Sequence, residues 1–197
     1  MNDQWPIVST SLMIIIALIS FGGINNYRLI ELFRHYPYEE KRNHSYFRWI
    51  TCGFVHGSYM HLLLNVFVLW QFGFIVENIY VAQFGPIQGN MVYLIIYILI
   101  LSLTCIPSFI KYKDNPSYAS IGASGAISGL LFIYIYFYPW STLYYIFIPM
   151  PAIALGVLYL IYSWWAAKNT NDGIDHGAHY YGAIIGVLIA YSLDHLV

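Results

Sequence analysis

Six times along this chain about twenty residues pass with almost no charge, and no other feature limits its fold as much. Crossing the hydrocarbon core of a bilayer takes about 20 apolar residues of helix. The runs lie at about Ile7 to Gly23, Tyr59 to Val81, Asn90 to Ile110, Ser120 to Tyr138, Pro149 to Ala167 and Gly177 to Leu196. A 197-residue chain that is 59% hydrophobic and 9% charged cannot hide so much apolar surface in one soluble core. The expectation is a single all-α membrane domain over residues 1–197, a bundle of six transmembrane helices. Its first partner is the lipid bilayer. The first six residues lack the positive region and small-residue cleavage site of a signal peptide, so the first run is expected to stay as a span. A net charge of -1 and the lack of a basic block give no reason to expect nucleic acid.

The connections punctuate these runs. Residues from Asn25 to about Ser58 collect Arg28, Glu31, Arg34, Glu39, Glu40, Lys41, Arg42 and Arg48 together with Tyr27, Tyr36, Tyr38, Tyr46, Phe47 and Trp49. Too long for a turn and rich in aromatic rings with polar tips, this segment reads as a folded, partly interfacial loop. Gly85-Pro86 separates the second and third runs, and Lys111 to Ser117 the third and fourth. Arg48 reads as a tie from the loop to backbone carbonyls, and Glu77 as a cap or bond to a neighbouring helix. Cys52 and Cys105, isolated in apolar surroundings, read as inert core residues.

Within the fourth run, Ser120 to Gly129 is a stretch of tiny residues, with Gly122, Ala123, Gly125, Ala126 and Gly129 around Ser124. Small side chains let helices approach closely in lipid, where no hydrophobic force drives them together. Ser124 is then either a packing residue or a nucleophile left accessible by its neighbours. In the sixth run, His179 precedes Gly182, Gly186 and Ala190, a small-residue ridge at four-residue spacing, and shares its face. If that ridge packs on the Gly122 to Gly129 stripe, a serine and a histidine meet at similar depth. An imidazole that takes the hydroxyl proton and returns it to a leaving amine is the minimum for nucleophilic catalysis. His61 and Asn65, four residues apart in the second run, share a helical face and can donate to an oxyanion, a role worth about 3–4 kcal/mol per donor. Their other use is interhelical bonding, worth about 0.6 kcal/mol.

Taken together, Phe47-Arg48-Trp49, the run from His56 through His61 to Asn65, Gly122-Ala123-Ser124-Gly125 and Gly177-Ala178-His179-Tyr180-Tyr181-Gly182 resemble the rhomboid intramembrane serine proteases over nearly the whole chain. The resemblance implies Ser124 as nucleophile and His179 as general base of a dyad without aspartate. His61 and Asn65, with the Ser124 backbone N–H, become the oxyanion site, and Gly122, Gly125 and Gly182 its packing support. It further implies a serine endopeptidase acting on membrane-protein substrates whose transmembrane helices unwind easily, without a cofactor, as a multi-pass protein of the bacterial inner membrane. A non-catalytic rhomboid-like protein that binds membrane clients is the alternative, and a proton-relaying transporter a second.

Two features depart from the pattern. Where several relatives carry an aromatic residue that stacks on the catalytic histidine, this chain has Ser128, so either another aromatic, such as Tyr180 or Tyr181, holds His179 or the base is held less firmly. Asp175, four residues before His179, is a conceivable third triad member, but Asp172 and Asp175 read more simply as caps at the start of the sixth run. His56, His61, His176 and His179 lack HExxH spacing and a carboxylate at ligand spacing in a span, so no metal site is expected. All eight Lys and Arg lie in the connections after the first, third and fifth runs, which by the positive-inside rule puts the N-terminus outside the cytoplasm. The resemblance implies the reverse, and it is preferred because a long folded loop is the weakest place to apply the rule. Water is expected to reach Ser124 through a polar mouth around Ser58, Ser117, Ser120 and Asn171.

Overall fold

The computed structural model describes residues 5–145, 147–170 and 172–196. In chain order it contains α1 (Ile7–Asn25), α2 (Tyr27–Phe33), α3 (Pro37–Asn43), α4 (Arg48–Thr51) and a 3₁₀ turn at Cys52–Phe54. Next come α5 (Tyr59–Val68), a π turn at Leu69–Gly73 and α6 (Phe74–Phe84), which run on as one helical segment, then α7 (Pro86–Tyr112) and α8 (Ser124–Phe137). A hairpin of β1 (Thr142–Tyr145) and β2 (Ile148–Pro151) leads into α9 (Ala152–Asn169) and α10 (His176–Asp194). The architecture is an all-α membrane bundle. Ile7–Asn25, Tyr59–Phe84 and Pro86–Tyr112 are long and apolar enough to cross a membrane, while Ser124–Phe137 is a shorter apolar helix.

Local chemistry explains most of the boundaries. Gly85 takes a φ of +84° and ends α6, and Pro86 then starts α7, where its missing N–H costs nothing. The fourth helix starts at Ser124, later than the apolar run, because Ser120 pairs with His35 in both directions (N···O 3.0 Å each way) and Gly122 turns the chain at a φ of +113°. The fifth starts at Ala152 because Ile148–Pro151 is spent on β2, a two-stranded sheet that helical-run counting did not anticipate.

The long first connection is folded. Glu40, fully buried, accepts from the Tyr36 N–H (2.7 Å) and the Trp49 indole N–H (2.8 Å) and pairs with His35 Nδ1 (2.8 Å), whose Nε2 meets Ser108 Oγ of α7 (2.9 Å). Arg48 donates to the Glu31 and Arg34 carbonyls (2.7 and 3.2 Å) and to Glu39 (2.9 Å), the loop tie its position implied. Lys41 reaches Asp114 (2.7 Å) and Tyr118 reaches Asp175 (2.5 Å), so the three cation-bearing connections gather at one end of the bundle. Cys52 and Cys105, far apart in sequence, lie buried as free thiols with their sulfurs 3.9 Å apart.

Glu77 closes the start of the bundle from within. Buried in α6, it accepts the N–H groups of Val8 (2.9 Å) and Ser9 (2.7 Å) at the head of α1, where no intrahelical acceptor exists and the helix dipole favours an anion. Bonds to a charged acceptor are worth about 1.5–3 kcal/mol each. Glu77→Ala is therefore expected to lose about 2–4 kcal/mol, and Glu77→Gln less, by melting in detergent. An unchanged melt for Glu77→Ala would show that water caps α1 equally well.

Candidate active site

α8 is buried almost all round, and it meets α10 through backbone rather than side chains. A Cβ placed on Gly182 would lie 2.1 Å from the Gly125 carbonyl oxygen, and one on Gly186 2.3 Å from that of Gly129. Only glycine permits this approach. It also sets the register of everything one turn earlier. His179 stands on the first turn of α10, Ser124 is the first residue of α8, and His179 Nε2 lies 2.8 Å from Ser124 Oγ. The two small-residue stretches pack on one another, and the serine and histidine lie together.

The chain before Ser124 is held from two sides. Gly122 N–H donates to the Cys52 carbonyl (2.9 Å), and a Cβ at Gly122 would strike His61 Cε1 (2.8 Å) and Nε2 (2.9 Å), so the His61 ring rests on that glycine. His56, considered from sequence only as a metal ligand, turns out to hold this loop. Its Nε2 accepts the Ala123 N–H (3.4 Å), so Nδ1 carries the proton toward Ser20 Oγ (2.8 Å), which in turn donates to the Phe54 carbonyl (2.9 Å). The signal for it was its place at the head of the His56 to Asn65 run.

That arrangement requires a neutral His56. Burial first, and then the neighbouring His61 imidazole, hold its pKa down to about 3 from an ordinary 6.5. The unfolded chain binds this proton near pH 6.5 and the folded chain only near 3. Stability is therefore full above about pH 6.5 and falls by up to about 1.4 kcal/mol per pH unit as pH drops toward 3. His56→Asn is expected to give a shallower dependence over that window in detergent melts. Equal slopes for variant and wild type would remove His56 from this role.

Asn65 is buried and donates its amide to the His61 carbonyl of its own helix (2.8 Å), leaving its second amide hydrogen uncommitted and its Oδ1 without a partner. No hydrogen bond joins Asn65 or the His61 ring to Ser124. Gly125 packs on Thr104 of α7, where a Cβ would come within 2.8 Å of Oγ1. A narrow cavity behind Ser124 is lined by Thr104, Ser120, Gly122, Asp175 and Ala178 among others. Of the expected mouth residues Ser120 borders it, Ser58 caps α5 through the His61 N–H (3.2 Å), Ser117 is exposed, and Asn171 lies outside the described residues.

The aromatic that faces His179 is neither of the two tyrosines named from the sequence. Tyr180 and Tyr181 pair edge to face with one another, and the ring stacked on His179 belongs to Tyr159 of α9, with centroids 6.4 Å apart and planes 24° from parallel. Its hydroxyl is anchored to Ser128 Oγ at 2.5 Å. The serine that replaces an aromatic in α8 thus positions an aromatic from the next helix, a contact between residues 31 apart that no local pattern reveals. His176 packs edge-on to His179 (5.7 Å) and bonds Asp172 (3.1 Å). Asp175 caps α10 through the Ala178 N–H (2.9 Å) and accepts from Tyr118, so its carboxylate is engaged away from His179. Among the described residues no group of His, Cys, Asp and Glu could hold a metal ion.

The Rhomboid domain family matches residues 43–195, most of the chain, including His61, Asn65, Ser124, Tyr159 and His179. The chain belongs to the rhomboid family. This rhomboid is 27% identical over 147 residues to RHOMBOID-like protein 12, mitochondrial, of Arabidopsis thaliana (71% of this chain, 44% of the relative). It is 30% identical over 153 residues to Rhomboid-like protease 5 of Toxoplasma gondii (74% and 16%). It is also 30% identical over 148 residues to the human Presenilin-associated rhomboid-like protein, mitochondrial (68% and 34%). The matched region therefore spans less than half of each of these relatives.

Proposed function

We propose that this rhomboid is a serine endopeptidase that cleaves the transmembrane segments of other membrane proteins. The observation that carries the reading is the 2.8 Å contact of Ser124 Oγ with His179 Nε2. Ser124 Oγ attacks the scissile carbonyl while His179 takes its proton, and the same proton passes to the leaving amine as the acyl-enzyme forms. Water then repeats the sequence and releases the acid. The oxyanion develops at the head of α8, where the Ser124 N–H has no intrahelical acceptor and the helix dipole favours negative charge, with His61 and Asn65 as further donors. Gly122, Gly125 and Gly182 keep these groups in register.

A helix in lipid hides its scissile carbonyl in an intrahelical bond. The preferred substrates are therefore membrane-protein helices broken by Gly or Pro, and a stiff leucine-rich span cut at an equal rate would sink that preference. The host membrane we propose is the bacterial inner membrane, on the family resemblance alone. Mitochondrial appears in the names of two of the relatives above.

The test is labelling of the purified, detergent-solubilised protein by a fluorophosphonate. Label on the wild type and none on Ser124→Ala is the expected result. A folded wild type that does not react would leave the serine unactivated and favour the client-binding alternative.

Tyr159 is the further residue to vary. Aromatic stacking contributes about 0.5–1.5 kcal/mol beyond burial, so Tyr159→Ala should lower kcat roughly 3- to 10-fold with little change in KM. Tyr159→Phe, which keeps the ring and loses the Ser128 bond, should fall between. Equal kcat in all three proteins would mean that His179 is held by its own helix.

A further inference from the structure

At the end of the bundle opposite Ser124, the β1–β2 hairpin presents apolar surface that nothing among the described residues covers. Trp140 is 79% exposed, Tyr144 69%, Phe147 88% and Ile148 60%. The register pairs Leu143 with Met150, both half-buried against the bundle, and Tyr144 with Pro149 on the outward side. The hairpin is rigidly joined to the helix that follows: Ala152 N–H donates to the Ser141 carbonyl (2.8 Å) and Ile153 N–H to that of Pro139 (2.9 Å).

We propose that this hairpin is an interfacial lipid anchor that lays Trp140, Tyr144 and Phe147 into the boundary between headgroups and acyl chains. Three observations select lipid. No Asp, Glu, Lys or Arg occurs from Asn115 to Ala167, so the hairpin, α8 and α9 as far as its last turn carry no charge to keep them in water or to pair with a charged partner. In the helix that follows, Ile153, Val157 and Ile161 lie at four-residue spacing and are exposed, an apolar row that suits contact with lipid. Trp and Tyr, each with an apolar body and a polar tip, are the residues that settle at headgroup depth.

Depth follows from the backbone. A two-stranded sheet has two open edges, and Pro149 and Pro151 supply no N–H to the ladder, so unpaired carbonyls need water. The hairpin therefore lies at the interface and does not cross. Anchored there, it fixes the start of α9, the helix that delivers Tyr159 to His179. The inference holds whether or not the protein is a protease.

The experiment places a cysteine at Phe147 in the full chain, labels it with the polarity-sensitive fluorophore NBD, and reconstitutes it in phosphatidylcholine vesicles. Wild-type protein, with Cys52 and Cys105 buried, sets the labelling background. Nitroxide lipids labelled near the headgroup should quench the emission several-fold more strongly than lipids labelled deep in the chain, and iodide in the water should quench weakly. Trp140→Cys repeats the measurement should Phe147→Cys fail to fold. Strong iodide quenching without lipid quenching would place the hairpin in water. Protection from both would mean that protein, such as a second copy, covers it. Quenching greatest from the deep label would mean that it inserts past the interface. Any of these three results overturns the proposal.

Discussion

On the proposed function, Ser124→Ala is expected to lower turnover of a transmembrane substrate by about 10⁴–10⁶-fold, His179→Ala to do nearly the same, and the double variant to fall no further. The reason is the single hydrogen bond they share. Without the hydroxyl there is no nucleophile for the imidazole to activate, and without the imidazole the hydroxyl keeps its proton at neutral pH. Residues that act as one unit therefore do not add, whereas two independent packing residues would. What survives in each variant is the contribution of binding and of the donors at the head of α8. Single-turnover rates with a Gly-containing substrate measure the effect, alongside a melt to show that each variant is folded. If the double variant were worse than either single by the product of their effects, Ser124 and His179 would not be partners, and the dyad would have to be abandoned.

Gly182→Leu unfolds the bundle or separates α8 from α10. Even the first carbon of the new side chain would sit 2.1 Å from the Gly125 carbonyl oxygen, a backbone atom that cannot rotate away. Overpacking a core costs about 1–3 kcal/mol when side chains can adjust, and a clash against backbone lies at or above that range. Gly182→Ala carries the same first clash with less bulk. It is expected to lower stability by about 2–3 kcal/mol and to cost Ser124 its labelling by a fluorophosphonate, because the helix shift that relieves the overlap lengthens the Ser124–His179 contact. Gly22→Ala is the control: its added Cβ meets nothing closer than 3.7 Å, and alanine is the better helix former. Detergent melts and labelling together decide the matter. A Gly182→Ala protein that melts and labels like wild type would show that α10 slides freely on α8.

Most of the candidate site was readable because lipid imposes simple rules. Ser124 sits within one small-residue stretch and His179 precedes another, and because such stretches let helices approach closely in lipid, the two groups meet if the stretches pack on one another. Asp175 was legible as a cap for the same local reason, since an aspartate three residues before an unpaired N–H has an obvious acceptor role. Tyr159 was not legible. It reaches His179 from a third helix and is placed by a bond to Ser128, so its role depends on how α9 is rotated. His56 was missed because its acceptor role depends on the path of the loop before Ser124, which the Ser120–His35 pairing and Gly122 set.

By itself, the sequence determined that this chain is a helical membrane protein, which residues are small enough for its helices to touch, and which polar groups stand near one end of their runs. Those properties follow from hydropathy and residue size, and are written into each segment. Only the tertiary structure decided where α8 begins, which ring holds His179, which histidine supports the loop and that a hairpin projects from the far end. Each of these depends on groups from different segments meeting at hydrogen-bond or van der Waals distance, and such meetings have no period in the sequence.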